Sequence, residues 1–223
     1  MSPTFVKVRA SVVGVMVLLG CAQTHVASVV APEAQGTVYH RILVLFPVAD
    51  LAARQLVEDS FGAVSDCSGA QGSFMPCPTG PPPDSIGATF IPSYNLLFPG
   101  RPFDNVTVSR VIAEHDLGAA LVIILGTADP SIQLIEQAAM ARCVLWPSNQ
   151  DCEDSGIATA AYDMSHPWSG FTLVMFDTHT DSVVWVATTT AGGNAIGGTS
   201  SVFRSLVMST KERLRQDSLV PAP

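Results

Sequence analysis

Charged residues are scarce in this sequence, and basic residues are the scarcer kind. Lys and Arg number 11 against 19 Asp and Glu in 223 residues, and the formal net charge is −8. An acidic chain of this kind offers no electrostatic footprint for nucleic acid or for anionic lipid headgroups. The low charged content of 13% and the hydrophobic content of 48% also exclude an intrinsically disordered chain. The composition therefore predicts a well-packed globular domain that does not bind nucleic acid.

A hydrophobic run long enough to span a membrane is missing from the N-terminal region. The apolar segment there, residues 11–20, is about ten residues long, whereas a transmembrane helix needs about twenty. It follows Lys7 and Arg9 and ends in Leu18-Leu19-Gly20-Cys21. A basic start, a short apolar core and a small-residue exit are typical of a secretory signal peptide, which we place at residues 1–20.

The motif Leu18-Leu19-Gly20-Cys21 resembles the lipobox of bacterial lipoproteins. The resemblance implies that the chain is cleaved after Gly20 and that Cys21 becomes the lipidated, palmitate-carrying first residue. Several acyl chains hold a protein on a membrane, because each buried CH₂ contributes about 0.8 kcal/mol. Ala22, in place of Asp, implies sorting to the outer membrane, with the protein facing the periplasm. An ordinary cleaved signal with a chance cysteine is the alternative. Cleavage after Gly20 would remove Lys7 and Arg9 but no acidic residue, and this would change the formal net charge from −8 to −10.

Four cysteines remain once Cys21 is set aside: Cys67, Cys77, Cys143 and Cys152. An even number of cysteines in an exported chain predicts disulfide bonds. Three pairings are possible, and the simplest joins Cys67 to Cys77 and Cys143 to Cys152. Zinc is the competing use, but neither a C-x₂-C motif nor His at ligand spacing accompanies these residues. We therefore predict two disulfides and no metal.

The apolar pattern predicts one domain with a single mixed β-sheet and helices packed on it, of the α/β or α+β class. We expect a lipid anchor and flexible tether at 21–37, the domain at 38–218, and a disordered tail at 219–223. Predicted strands are 41–46, 88–98, 119–125, 156–162, 171–176 and 183–190. Predicted helices are 50–64, 105–118 and 131–145, with a last helix starting at Thr199 or Ser200. In the first helix we expect Leu51, Leu56 and Phe61 to face the core and Arg54, Glu58 and Asp59 to face solvent.

Three segments carry a resemblance to bacterial envelope lipoproteins: residues 42–46, residues 117–124 after a helix, and residues 176–185 across a hairpin. The pattern is similar to the N-terminal domain of TolB, the curli secretion lipoprotein and the penicillin-binding-protein activator lipoprotein. It covers about half of the mature chain, and each match is a generic pattern. The resemblance implies a fold and a compartment, and an activity carried over from it would be analogy only.

Residues 66–85 are too rich in Gly and Pro to form a regular element. A loop of this length in a compact domain is usually functional or disordered, and the predicted bond between Cys67 and Cys77 would clip its base. We interpret it as a possible partner-contact loop, with a structurally neutral insertion as the alternative. Its candidate contact residues are Phe74, Met75, Pro81, Pro82 and Pro83.

A glycine-rich stretch before the last helix is the candidate anion-binding turn, because backbone N–H groups at a helix start can hold an anion. Its residues are Gly192, Gly193, Gly197, Gly198 and Thr199. It lacks the spacings of the dinucleotide-binding and P-loop motifs, and a flexible connection is the alternative interpretation. The acidic turn containing Asp177, His179 and Asp181 is a weak metal candidate, and solvated polar side chains explain it more simply.

No catalytic motif stands out. A serine hydrolase would need G-x-S-x-G on a strand-to-helix turn, and neither Ser165 nor Ser201 has that frame. We therefore predict a non-enzymatic, lipid-anchored periplasmic protein, without a cofactor, that binds or helps to assemble another envelope component. The alternatives are an envelope hydrolase or transferase with dispersed residues, and a small-ligand-binding lipoprotein that uses residues 192–198.

Overall fold

The computed structural model describes residues 23–47, 51–62, 87–97, 105–125, 134–146, 170–192 and 198–221. The strands in these ranges are β1 (Gln23–Val30), β2 (Arg41–Leu45), β3 (Thr89–Pro92), β4 (Ala119–Leu125), β5 (Gly170–Asp177) and β6 (Ser182–Gly192). The helices are α1 (Leu51–Gly62), α2 (Asn105–Glu114), α3 (Leu134–Leu145) and α4 (Gly198–Gln216). None of these helices is long and apolar enough to cross a membrane.

The six strands form one mixed sheet in the order β1-β6-β5-β4-β2-β3. β2 pairs in parallel with β3 and β4, and the other neighbours are antiparallel. This architecture confirms the predicted class, a single mixed sheet with helices packed on it. Gln23 pairs with Gly192, and Gly170 pairs with Thr190, so these residues share one end of the sheet with the carboxyl ends of β2 and β4. We call it the upper end, and we call the opposite end, with the β5–β6 turn, the lower end.

The core has two halves because β2, β4 and β5 are buried on both faces. One half lies between the sheet and helices α1 and α4, where the rings of Phe46 and Phe171 each have a centroid 6.0 Å from that of Phe203. The other half lies under α2 and α3, where Trp146 meets Phe176 edge-on at 5.6 Å. Near-continuous apolar runs such as β4 are what strands buried on both faces require.

The first helix forms where predicted, but it turns a different face to the core. Leu51 and Leu56 are 43% and 42% exposed, whereas Arg54 and Glu58 are 8% and 0% exposed. Phe61 is buried as expected. The expected orientation was therefore wrong for four of these residues, because Glu58 finds hydrogen-bond donors at the ends of two neighbouring strands.

The predicted flexible tether is wrong from Gln23 onward, because residues 23–30 form β1, which pairs with residues 185–192 of β6. Burial along β1 alternates: Thr24, Val26, Ser28 and Val30 are half-buried, and the residues between them are exposed. This period of two is the pattern of a strand with one face on the core. Cys21 and Ala22 lie outside the described residues.

The predicted disordered tail is wrong at its start. Leu219 and Val220 are buried, and the backbone N–H of Tyr39 donates to the carbonyl of Leu219 at 2.8 Å. The last described residues therefore pack beside the segment that leads into β2. Residues 222–223 lie outside the described part.

One further detail differs from the sequence-based expectation. Helix α2 was predicted to run to residue 118, but it ends at Glu114, and Asp116, with φ of 50°, takes the left-handed conformation that closes a helix. The predicted strand at 156–162 and the loop at 66–85 lie outside the described residues.

Candidate functional site

A buried carboxylate joins α1 to the upper ends of β2 and β3. Glu58 accepts hydrogen bonds from four donors: the backbone N–H groups of Phe46 at 2.9 Å and Tyr94 at 3.0 Å, the Nε of Arg54 at 2.9 Å, and the Oγ of Ser93 at 2.9 Å. Arg54 also donates from Nη2 to Ser93 Oγ at 2.7 Å. Glu58 and Ser93 are both fully buried.

This arrangement gives both oxygens of the buried Glu58 carboxylate hydrogen-bond donors within the protein. A buried charge is tolerated when it is paired and hydrogen-bonded, and Glu58 has both kinds of partner. The Oγ of Ser93 accepts a hydrogen bond from the guanidinium of Arg54 and donates one to the carboxylate of Glu58, so it does not face a solvent-filled cleft. We assign the cluster to structure, as a lock between α1 and the segment after β3.

The β5–β6 turn holds the residues that were weighed as a metal site. Asp177 Oδ1 accepts the backbone N–H groups of His179 at 2.8 Å and Thr180 at 2.9 Å, while Oδ2 accepts the hydroxyl of Tyr39 at 2.9 Å. Asp181 has φ of 53°, and Arg142 lies 3.6 Å from its carboxylate. Asp177 thus shapes the turn and ties it to Tyr39. Among the described residues, no three His, Cys, Asp or Glu side chains are grouped to hold a metal.

The same contacts shift the pKa values of Asp177 and Tyr39. Burial raises the pKa of Asp177, but the hydrogen bonds from Thr180, Tyr39 and His179 outweigh it and hold the pKa below its usual value of 3.8. Burial, and then the hydrogen bond to Asp177, raise the pKa of the Tyr39 hydroxyl well above its usual range. At neutral pH the carboxylate is therefore the acceptor and the phenol the donor.

A third polar cluster fixes β1 to α4. Asp217 Oδ2, just after α4, accepts the Oγ of Ser28 at 2.5 Å, the Nε1 of Trp185 at 2.8 Å and the Nε of Arg213 at 3.2 Å. Arg213 Nε also lies 2.6 Å from Ser28 Oγ. A second link comes from Ser209, whose Oγ donates to the carbonyl of Thr24 at 3.1 Å. β1 is therefore held to α4 at two positions, Thr24 and Ser28.

Among the described residues no strand pairs with the outer edge of β1, which we call its free edge and which offers hydrogen-bonding groups that β6 does not use. Ala31 N donates to Val184 O at 2.9 Å, and residues alternate along an antiparallel pair. The even-numbered residues of β1 therefore turn their N–H and C=O groups away from β6. The bond from Ser209 to the carbonyl of Thr24 agrees with this alternation.

Exposed side chains lie beside this edge. His25, Ala27 and Val29 of β1, with Thr188 and Thr190 of β6, point away from α4 and are exposed, Val29 by 64%. We define the β1 surface as these five residues with the free edge of β1. It combines an uncharged strand edge with a small uncharged face. A strand edge of this kind can pair with another polypeptide.

Few of the sequence-predicted site residues fall in the described part. Gly192 is the last residue of β6, opposite Gln23, and Gly198 and Thr199 begin α4. Cys143 lies on α3, is buried and is disulfide-bonded; the pairing with Cys152 stays a prediction. Outside the described residues lie Cys21, Cys67, Cys77, Cys152, Phe74, Met75, Pro81, Pro82, Pro83, Gly193 and Gly197.

The β1 surface itself was missed from the sequence. Its signal was present, because residues 23–30 contain no charge, no Gly and no Pro and place Val26, Ser28 and Val30 at a period of two. Small and polar residues between the valines made the segment resemble a linker.

No family model and no curated protein matches this chain. Among solved structures, the PelC dodecamer from Paraburkholderia phytofirmans is similar, with a TM-score of 0.35 and 11% identity, over 85% of this chain and 97% of that chain. A DUF4136 family protein from Bacteroides thetaiotaomicron is similar with a TM-score of 0.39 and 6% identity, over 88% of this chain and 98% of that chain. Likenesses this weak establish no shared function.

Proposed function

We propose that this protein is a lipid-anchored, non-enzymatic binding factor of the bacterial envelope, which holds an extended segment of another envelope protein against the edge of β1. The observation that carries the proposal is the position of a free, uncharged strand edge directly after Cys21. The lipobox-like motif supplies the anchor, and β1 supplies the binding groups.

The chemistry of the edge defines the partner. Val26, Ser28 and Val30 turn a backbone donor and an acceptor outward, which is what strand addition requires. Thr24 offers its N–H alone, because its carbonyl accepts from Ser209. Alternate side chains of the added strand would lie beside Ala27 and Val29. Because neither β1 nor its neighbours on the β1 surface carry a formal charge, the fitting partner is an uncharged strand with small or branched apolar residues.

The polar clusters support a binding role over a catalytic one. Internal donors bond to both carboxylate oxygens of Glu58 and Asp177 and to Oδ2 of Asp217. These carboxylates therefore hold secondary structure together at the upper end, the lower end and the β1 side of the domain. The β1 surface, by contrast, presents the outer backbone groups of β1 and the exposed side chains of His25, Ala27 and Val29.

The test uses Val26→Pro with Val26→Ala as its matched control. Both variants lose the half-buried valine side chain, but only proline removes the outward N–H. A photo-crosslinking residue at Ala27 should capture an envelope protein in intact cells, and the Val26→Pro variant should reduce capture about tenfold relative to Val26→Ala. A crosslinker at Thr180, on the lower end, should give none of this product.

Equal capture by Val26→Pro and Val26→Ala would contradict binding through the β1 edge. The anchor is tested separately with Cys21→Ser. This variant should lose acyl mass from its N-terminal peptide and leave the membrane fraction, and an unchanged location would contradict the anchor.

A further inference from the structure

We infer that the domain stands end-on against the membrane without a tether, with the upper end of the sheet facing the lipid. This inference rests on the proposed lipidation of Cys21. It concerns a different property, which is the orientation of the domain on its anchor.

The link between the anchor and the fold is short. Only Ala22 separates Cys21 from Gln23, the first residue of β1. Two residues span at most about 7 Å even when fully extended. A lipidated Cys21 at the membrane surface therefore keeps Gln23 within that distance of the headgroups.

The fold is fixed immediately after this link. Pairing with β6 runs from Gln23, opposite Gly192, to Val30, opposite Trp185. Two side chains of α4 reinforce it: Ser209 bonds to the carbonyl of Thr24, and Arg213 bonds to Ser28. β1 cannot act as a spacer without losing both its ladder and these bonds.

The register of the sheet shows which other residues share the end nearest the membrane. Gly170 pairs with Thr190, and Leu125 pairs with Phe171, so they lie level with the start of β1. From Gly170, β5 runs to Asp177 at the lower end, a length of about 23 Å for a strand of this size. Thr180 in the β5–β6 turn should therefore stand more than about 20 Å above the headgroups.

Charge favours the end-on arrangement over one with β1 flat on the membrane. In the part of the upper end nearest β1, the described ranges 23–27, 123–125, 170–172 and 188–192 contain no Asp, Glu, Lys or Arg. The exposed Asp59, bonded to Tyr94 after β3, lies at the opposite edge of the sheet. A flat arrangement would instead bring Glu33, exposed just after β1, against anionic phosphate groups. Like charges at short range repel, and the end-on arrangement keeps them apart.

The experiment measures depth with a fluorescent noncanonical amino acid at one of three exposed positions: Thr190 at the upper end, Val29 at the far end of β1, or Thr180 in the lower turn. The lipidated full chain is reconstituted in vesicles of phosphatidylethanolamine and phosphatidylglycerol that contain a headgroup spin label. We expect strong quenching at Thr190 and little at Val29 and Thr180. Inserting about twelve Gly and Ser residues after Ala22, a spacer that reaches about 20 Å, should release the quenching at Thr190.

Each other outcome overturns the inference in a recognisable way. Equal quenching at Thr190 and Val29 would mean that β1 lies flat. No quenching at any position in acylated protein that floats with the vesicles would mean that the domain hangs free of the membrane, with the anchor intact. Loss of acyl mass and of flotation would refute the anchor of the proposed function, and the orientation with it.

Discussion

Glu58 is the residue on which the packing of α1 depends most. Its carboxylate is fully buried and joins three parts of the chain: α1 itself, Phe46 at the end of β2, and Ser93 with Tyr94 after β3. Removing one partner of a buried ion pair is costly because the other charge stays buried and unpaired. Here the charge left behind would be the guanidinium of Arg54.

We therefore expect Glu58→Ala to lower the free energy of unfolding by about 3–5 kcal/mol. Urea unfolding followed by circular dichroism measures this loss. The control is Glu212→Ala, which removes the partly exposed pair with Arg215 and should cost no more than about 1 kcal/mol. Equal losses in the two variants would contradict the role assigned to Glu58.

The pH dependence of stability should carry the signature of Asp177. Its pKa is lower in the folded chain than its usual 3.8, so its ionised form stabilises the fold above that pH. This contribution is lost as the pH falls through the lower, folded pKa. Asp177→Asn should therefore be less stable than the wild type at pH 7, and the difference should shrink as the pH falls below about 4.

Chemical unfolding of both proteins across this pH range checks the prediction. Tyr39→Phe, which removes one of the donors to the carboxylate, should reproduce part of the effect. A stability difference between wild type and Asp177→Asn that stays constant into strong acid would contradict it.

At the scale of residues, the core was predictable where burial follows apolar periodicity. Phe203, Leu206 and Leu214, which recur at helical spacing along α4, are buried. The orientation of α1 was not predictable in this way. Glu58 can be buried because Phe46 and Ser93 donate hydrogen bonds to it. These donors lie 12 and 35 positions away in the sequence, and helical periodicity contains no information about such distant partners.

At the scale of elements, β1 depends on α4 as well as on β6. Asp217 accepts from Ser28, Trp185 and Arg213 at once. Trp185 is buried, so loss of its acceptor would leave an unpaired indole N–H, which costs about 1–3 kcal/mol.

We therefore expect Asp217→Ala to loosen β1 before the rest of the sheet. Hydrogen exchange followed by mass spectrometry should show faster exchange in a peptide covering β1, while a peptide from β4 keeps its protection. Asp217→Asn keeps one acceptor oxygen and should show a smaller change. Uniform acceleration in both peptides would mean that Asp217 stabilises the whole fold and does not specifically hold β1.

Most elements were predictable because their patterns are local. The apolar runs of β2 and β4, and the polar turn between β5 and β6, predicted strands and a hairpin that the structure confirms. β1 could not be assigned with the same ease. It is an edge strand with one half-buried face, and its partner β6 lies at the other end of the chain.

At the scale of the whole molecule, the first and the last described segments of the chain both pack onto the domain. β1 packs beside α4, and Leu219, after α4, is bonded to Tyr39. The sequence placed the domain at 38–218 because the flanking segments contain small residues and prolines. Their contacts are long-range, so composition alone did not reveal that both belong to the core.

The position of β1 two residues after Cys21 has a consequence for how copies of this protein meet. Two uncharged strand edges can pair with each other in antiparallel fashion. In such a pair the second copy's Gln23 would lie at the Val30 end of the first, about 23 Å higher on an end-on domain. A link of about 7 Å cannot return its lipid to the same membrane.

We therefore expect antiparallel self-pairing only when the anchor is absent. The Cys21→Ser protein in solution should form dimers as its concentration rises, and Val29→Lys, which places a charge beside the edge, should return it to monomers. Sedimentation equilibrium measures both, and a Cys21→Ser protein that stays monomeric would contradict the expectation. On the membrane, the acyl chains would thus select between partners as well as attach the protein: they prevent antiparallel pairing of β1 with its own copies and leave its edge open to a different polypeptide.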